Sequence, residues 1–381
     1  MRNLLKKKEV KQILLLLTIA FIIYFIYHLI LYIRFYYRIH YAELYISDTY
    51  ITEPIAEEDS KTISWLVHKY VPDHNAGSEW MAHAINMYLI GNQSYYVNVL
   101  VNSSSVYEFE RVHIIEDNNK ELVESAITHS SVLLTHHTMM ASAVYTGMKA
   151  KRPVVILMHD PDQKAYLQEF VRISSKNIYL LNNSYWLKEY YSQFNLPSIV
   201  VYPPVYWKEY NVETSREFVT LINLNANKGG HVLYKIAKAM PDVKFLGVAG
   251  SYNNQIIRKG LPNLTYMENT PYIQSIYAKT DILLVPSKEE SWGRVAVEAM
   301  SSGIPVIAHP TLGLLESCDS AGIFCDRNNI SAWVKEIRRL KDDAAWRKQV
   351  SEKCLARAQD LDPKDQLDKM ATWLSNIKWR D

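Results

Sequence analysis

The sequence predicts an α/β protein in which two Rossmann-like domains stand in tandem behind an N-terminal transmembrane helix. Short, β-branched apolar runs alternate with helical patterns from residue 62 to residue 326, the signature of mainly parallel sheets covered on both faces. The alternation breaks once, at "YPPVYWKEYNVETSRE" (202–217), where two prolines and a run of charges mark a domain boundary. The third observation is "ILLLLTIAFIIYFIYHLILYI" (13–33), apolar apart from Thr18, His28 and a few tyrosines.

That stretch of 21 residues, at about 1.5 Å each, reaches roughly 31 Å, enough to cross a bilayer core. A cleaved signal peptide has a shorter apolar stretch and a small-residue cleavage site, and neither is present. Residues 1–12 form a basic tail with Arg2, Lys6, Lys7, Lys8 and Lys11, against Arg34 and Arg38 after the stretch. The asymmetry favours a cytosolic N-terminus for a single-pass anchor, with the globular part on the far side if the segment spans. Residues 34–60 read as an aromatic and polar stalk. Five Asn-x-Ser/Thr triplets, at Asn92, Asn102, Asn182, Asn263 and Asn329, are compatible with that side of a membrane.

Residues 61–210 carry the first series of strands: "TISWLVH" (62–68), "YYVNVLV" (95–101), "VHIIE" (112–116), "SVLLTH" (131–136), "PVVILMH" (153–159), "NIYLLN" (177–182) and "SIVVY" (198–202). Helical patterns fall between several of them, notably over 77–90, 138–150 and 184–194. Residues 211–381 carry the second: "FVTLIN" (218–223), "VKFLGVAG" (243–250), "LTYME" (264–268), "DILLVPS" (281–287), "PVIAH" (305–309) and "GIFCD" (322–326). Helices over 329–341, 343–359 and 363–378 follow. A ligand is expected in the cleft where the strand C-termini of the two domains face each other.

Composition narrows the function. With 48% hydrophobic residues in 381, there is material for two cores. A formal net charge of +2 implies no dominant basic surface, which argues against a nucleic-acid partner. The three cysteines show no metal-ligand spacing and make no disulfide framework. A glycine-rich dinucleotide fingerprint, a phosphate-binding G-x-x-x-x-G-K-[ST] loop and H-E-x-x-H are all missing.

The chemistry-bearing residues cluster at strand ends. Gly77 opens a helix soon after the first strand, where a glycine lets backbone amides approach a ligand. His159 follows "PVVILM" at the C-terminal end of a parallel strand and so faces the cleft; a structural histidine fits that spacing equally well. Lys228, ahead of Gly229 and Gly230, stands where the second domain's first strand hands over to its helix, a place that suits a diphosphate. Glu290 lies in the loop before Gly293, and Glu298 falls inside the apolar run that follows. A buried glutamate needs hydrogen-bond donors, and a pair of ribose hydroxyls meets that need.

The stretch "ESWGRVAVEAMSSGIPVIA" (290–308) resembles the E-x7-E signature of glycosyltransferase family 4, retaining enzymes of the GT-B fold. The likeness extends, in the family's order, through "VPDHNAGSEWMAH" (71–83), "RPVVILMH" (152–159), "NNSYW" (182–186), "VVYPPV" (200–205), "NKGG" (227–230) and "TDILLVPS" (280–287). The resemblance implies an enzyme moving a sugar from a nucleotide-diphosphate donor to an acceptor hydroxyl, and the predicted anchor makes it membrane-anchored, with a glycan, a lipid-linked glycan or a glycoprotein as acceptor. It implies that Glu298 holds the donor's ribose and Glu290 lies against its sugar. Lys228 and the amides around Gly293, Arg294 and Val295 would bind the diphosphate, His159 the sugar side, and Gly77 would lie near the phosphates and acceptor. The chain departs from the family where a Gly-Arg pair often ends the second domain's first strand. Here Ile222 and Asn223 stand there, and Asn223 supplies no charge, which Arg294 could offset.

The implied chemistry needs no cofactor and no metal, because the lysine and helix amides take the charge that builds on the leaving diphosphate. Three rivals are distinguishable. A metal-dependent transferase would use an Asp-x-Asp motif, matched by residues 160–162 and 360–362. The other two are a nucleotide-sugar epimerase and a non-catalytic nucleotide-sugar-binding protein on the same scaffold.

Overall fold

The structure, a computed structural model, describes residues 16–30, 33 and 61–381. The chain divides into two units, residues 1–44 and 45–381. In the first, residues 16–30 form a helix with exposed apolar side chains such as Leu16, Phe21 and Ile23. Among the described residues no helix is long and apolar enough to cross a membrane, which corrects the single-pass anchor predicted over 13–33. Residues 13–15, 31 and 32 of that span lie outside the described residues, as do the basic tail and the stalk.

In the second unit, the first sheet contains β1 (Thr62–Leu66), β2 (Tyr96–Val101), β3 (Glu108–Phe109), β4 (Val112–Glu116), β5 (Val132–His136), β6 (Val154–Met158), β7 (Ile178–Asn182) and β8 (Ser198–Val200). Their order is β3-β4-β2-β1-β5-β6-β7-β8, parallel throughout except for β3 against β4. The central strands β5, β6 and β7 are buried along their length because helices cover both faces: α1 (Gly77–Gln93), α2 (Lys120–Thr128), α3 (Met140–Ala150), α4 (Lys164–Ser174) and α5 (Tyr185–Tyr191). A short α6 (Trp207–Tyr210) lies in the predicted boundary.

The second sheet contains β9 (Phe218–Ile222), β10 (Phe245–Val248), β11 (Leu264–Met267), β12 (Thr280–Val285), β13 (Val306–Ala308) and β14 (Ile323–Phe324) in the order β11-β10-β9-β12-β13-β14, all parallel. Its helices are α7 (Gly230–Ala239), α8 (Gln274–Tyr277), α9 (Arg294–Met300), α10 (Leu312–Cys318), α11 (Ile330–Asp342) and α12 (Ala344–Asp360). Asn329 and Asp343 start the last two by accepting the Ala332 and Trp346 amides. The second core gathers Phe245, Leu283, Trp333 and Leu340, with Cys318, Cys325 and Cys354 buried as free thiols.

The final helix, α13 (Lys364–Ser375), puts Leu367, Met370, Ala371 and Leu374 into the first core, not the second. Tyr88 of α1 donates to Asp368, and the Trp373 ring meets Tyr179 of β7 edge-on at 5.9 Å. Beyond the helix, Asn177 exchanges two 2.8 Å hydrogen bonds with the Arg380 backbone. Two of the Asn-x-Ser/Thr triplets are spent on structure. Asn182 is fully buried, and the Asn263 amide donates to the carbonyls of Ala237, Met240 and Val243.

Both sheets reverse direction in strand order, between β1 and β5 and between β9 and β12. A parallel sheet opens a crevice at such a reversal, outside its strand C-termini. The ends of β9 and β12 deliver Asn223, Lys228 and Glu290, and those of β5 and β6 deliver His137 and His159, with His136 buried at the end of β5.

Candidate active site

One cleft of about 1360 Å³ is lined from both domains. It contains all nine residues singled out in the sequence: Gly77, His159, Asn223, Lys228, Glu290, Gly293, Arg294, Val295 and Glu298. Both rims are bridged. On one, Trp186 Nε1 donates to the Ser291 carbonyl at 2.6 Å and Asn183 to the Ser291 hydroxyl at 2.8 Å. On the other, Asn75 donates to Asn269 at 2.7 Å and Ser251 to the Asn75 carbonyl at 2.6 Å.

Glu298, 5% exposed, finds donors inside the protein, a point the sequence reading missed. Arg294 Nε donates to one carboxylate oxygen at 2.6 Å and the Tyr277 hydroxyl to the other at 2.7 Å. The four-residue spacing on α9 stacks Arg294 and Glu298 on one helix face. Arg294 Nη2 also donates to the Tyr210 hydroxyl at 2.8 Å. The arginine is therefore tied to Glu298 and Tyr210, and the expectation that it offsets the uncharged Asn223 has no geometric support. Burial alone would discharge Arg294, but Glu298 and Tyr210 outweigh it and hold the guanidinium protonated more firmly than usual. The Tyr277 hydroxyl is raised, by burial first and then by the Glu298 charge.

Glu290 and Lys228 form a second ion pair at 2.5 Å, with Ser287 donating to the same Oε1 at 3.0 Å. Burial alone would lower the Lys228 ammonium; the neighbouring carboxylate reverses this and leaves it raised. The turns that bring the pair together need glycine. Gly229 (φ +93°) lies so close to Pro286 that an added Cβ would meet its Cγ at 2.7 Å, and Gly293 (φ +95°) is packed as tightly on Leu314. Gly293 is the N-cap of α9 and has no side chain to accept from the first helical amides. Gly77, by contrast, has open space where a Cβ would stand.

Asn223 adopts φ +67°, which asparagine tolerates better than most residues. Its Oδ1 accepts from Gln255 and the Asn225 amide, both at 3.3 Å, so the side chain serves the loop after β10. The Asp-x-Asp triplets are likewise local: Asp160 caps the turn at Pro161 and Asp362 accepts the Lys364 amide.

His159 is one of three clustered imidazoles. Its ring stacks on His137 at 4.9 Å and meets His136 edge-on at 5.3 Å. The strand-end argument that picked out His159 applies equally to "HH" at the end of β5, which the sequence reading passed over. Tyr210 and Tyr277 had no such signal. Burial, then the neighbouring imidazoles, hold His136 and His159 well below the ordinary histidine range. Below pH about 6.5 the unfolded chain therefore binds protons at these positions that the folded chain refuses. Stability should be full above that pH and fall as the solution is acidified through it. Thermal melts between about pH 7.5 and 5.5 check this, and His136→Asn should flatten the slope. An identical slope in that variant would contradict the assignment.

Residues 207–356 match the family described as Glycosyl transferases group 1. Local sequence similarity agrees. The chain is 40% identical over 73 residues to a D-inositol 3-phosphate glycosyltransferase of Corynebacterium kroppenstedtii, covering 19% of this chain and 16% of that protein. It is 33% identical over 94 residues to the O-antigen chain mannosyltransferase B of Escherichia coli, covering 25% and 24%. The matches thus span less than a quarter of these curated relatives' lengths. Among solved structures, Anabaena Alr3699/HepE in complex with UDP-glucose superposes with TM-score 0.69 at 17% identity, covering 82% of this chain and 98% of that one. A glycosyltransferase from Rickettsia africae superposes with TM-score 0.67 at 16% identity, covering 84% and 98%. At that identity the likeness establishes the two-domain α/β fold. Over residues 207–356 this chain is thus similar to the glycosyl transferases group 1 family, and its two domains have the GT-B-like fold that the solved structures share.

Proposed function

We propose that the protein is a retaining glycosyltransferase that moves a sugar from a nucleotide-diphosphate donor to a hydroxyl of a glycan without a metal ion. The observation that carries the proposal is the convergence of two ion-paired glutamates, Glu290 and Glu298, on one cleft between two switch points, within a group 1 domain. Glu298 would hold the ribose hydroxyls with the lone pairs left over from Arg294 and Tyr277. Lys228 and the amides of Arg294 and Val295 would take the diphosphate, with Gly77 opposite. Glu290, paired to Lys228, would then sit where the diphosphate meets the sugar, and His159 would line the sugar side.

Breaking the sugar–phosphate bond leaves an oxocarbenium-like carbon and puts negative charge on the diphosphate. The Lys228 ammonium supports that charge as it develops. A departing phosphate oxygen accepts the acceptor's proton, so no separate general base is invoked. The UDP-glucose held by the Anabaena protein makes that donor the first to test.

The test is turnover with a panel of nucleotide-diphosphate sugars, followed as nucleotide release and as the anomeric configuration of the product. Transfer with retention is expected, and excess chelator should leave most of the rate intact. A steep loss that metal restores would overturn the mechanism. Donor interconversion without an acceptor would identify an epimerase, and binding without turnover a binding protein.

A further inference from the structure

We propose that His136, His137 and His159 form a binding site for a divalent transition-metal ion of the zinc class, whose occupation excludes the donor sugar. The exclusion rests on the placement of His159 proposed above; the metal site itself does not.

The three imidazoles come from the C-terminal ends of adjacent parallel strands, β5 and β6, and offer one nitrogen each within 4.8 Å of one another. Neighbouring residues of an extended strand point to opposite sides. His137 escapes this by adopting φ +52°, which brings its ring to 4.8 Å from that of His136. A left-handed backbone is uncommon outside glycine, and such conformations persist where the surroundings enforce them.

The buried nitrogens point the same way. His136 is 3% exposed, and neither of its ring nitrogens has a hydrogen-bond partner among the described residues. The buried Nε2 of His159 has none either. An imidazole without any partner is uncommon in a core, and a metal ion takes such a lone pair. Asp160 Oδ2 lies 3.6 Å from His137 Nδ1, with its other oxygen held by the Asp162 amide. A carboxylate behind a histidine is the usual device for orienting a metal ligand.

The donor set selects the ion. Imidazole nitrogens suit zinc, copper and nickel, while magnesium and calcium take oxygens. Tetrahedral zinc, with Zn–N of about 2.0–2.1 Å, sets its ligands about 3.4 Å apart, so closing on an ion takes side-chain rotations of about 1 Å. His137 and His159 both reach the cleft, which leaves the fourth position open to it.

The experiment is equilibrium dialysis of Zn²⁺ alone, and of Mg²⁺ alone, against the full, tag-free chain after chelator treatment. One zinc per chain and no magnesium are expected. His136→Ala and His137→Asn should each weaken zinc binding at least tenfold, and His231→Ala should not. His137→Asn guards against misfolding: asparagine accepts the left-handed backbone, so this variant should melt no lower than the parent while losing the ion. No zinc uptake, or equal uptake by both cluster variants, would overturn the site. With UDP-glucose turnover, zinc should raise the donor KM and leave kcat unchanged. Zinc bound without a rise in KM would overturn the exclusion while leaving the site intact.

Discussion

Glu298→Gln is expected to weaken binding of both the donor and the sugar-free nucleotide diphosphate by roughly 10- to 150-fold, the weight of about 1.5–3 kcal/mol for hydrogen bonds to a charged group. The ribose is present in ground and transition state alike, so the loss belongs in KM more than in kcat. The structure adds a second consequence. Arg294 and the Tyr277 hydroxyl donate to different oxygens of this carboxylate, and a glutamine replaces one of those acceptors by an NH2 donor. Arg294, 16% exposed, would lose its counter-charge, so the melting temperature should fall as well. Tyr277→Phe separates the effects, because it removes one donor and keeps the charge; its nucleotide affinity should fall less than that of Glu298→Gln. Unchanged nucleotide affinity in Glu298→Gln would remove the ribose from this carboxylate.

Glu290→Gln should behave in the opposite way. The proposed contact is with the sugar, where charge develops only as the bond breaks, so kcat should fall by about 10²-fold or more. Free nucleotide diphosphate should bind as well as before or more tightly. In the parent protein Glu290 neutralises Lys228 at 2.5 Å, and the substitution releases that ammonium to the phosphates. Titration of nucleotide diphosphate beside saturation kinetics distinguishes the two glutamates. Weaker nucleotide binding in Glu290→Gln would mean that the Lys228–Glu290 pair acts as one unit on the diphosphate.

Much of the fold was legible because parallel strands buried on both faces read as continuous apolar runs. Thirteen of the quoted runs are strands in the structure, whereas β3, two residues long and partly polar, carried no such signal. The candidate site was legible through position: the end of a parallel strand faces the cleft, whatever the packing elsewhere. What escaped depends on contacts distant in the chain. Tyr277 reaches Glu298 from α8 across 21 residues, and Tyr210 reaches Arg294 across 84. The apolar stripe of α13 announces a buried face but not which core buries it. In the N-terminal stretch, hydropathy and length were read together over 21 residues, while among the described residues no helix is long and apolar enough to cross a membrane.

The return of α13 to the first core sets an order of events during synthesis. The first domain is completed by a helix that leaves the ribosome only after the second domain. The roughly 150 intervening residues take about 8–30 s to make at about 5–20 residues per second. Through that interval Tyr179 lacks the Trp373 ring and Tyr88 lacks Asp368, and the apolar residues around α1 wait for Leu367, Met370 and Leu374. Until then the nascent first domain keeps that apolar surface uncovered, and its completion is timed by the translation of the second.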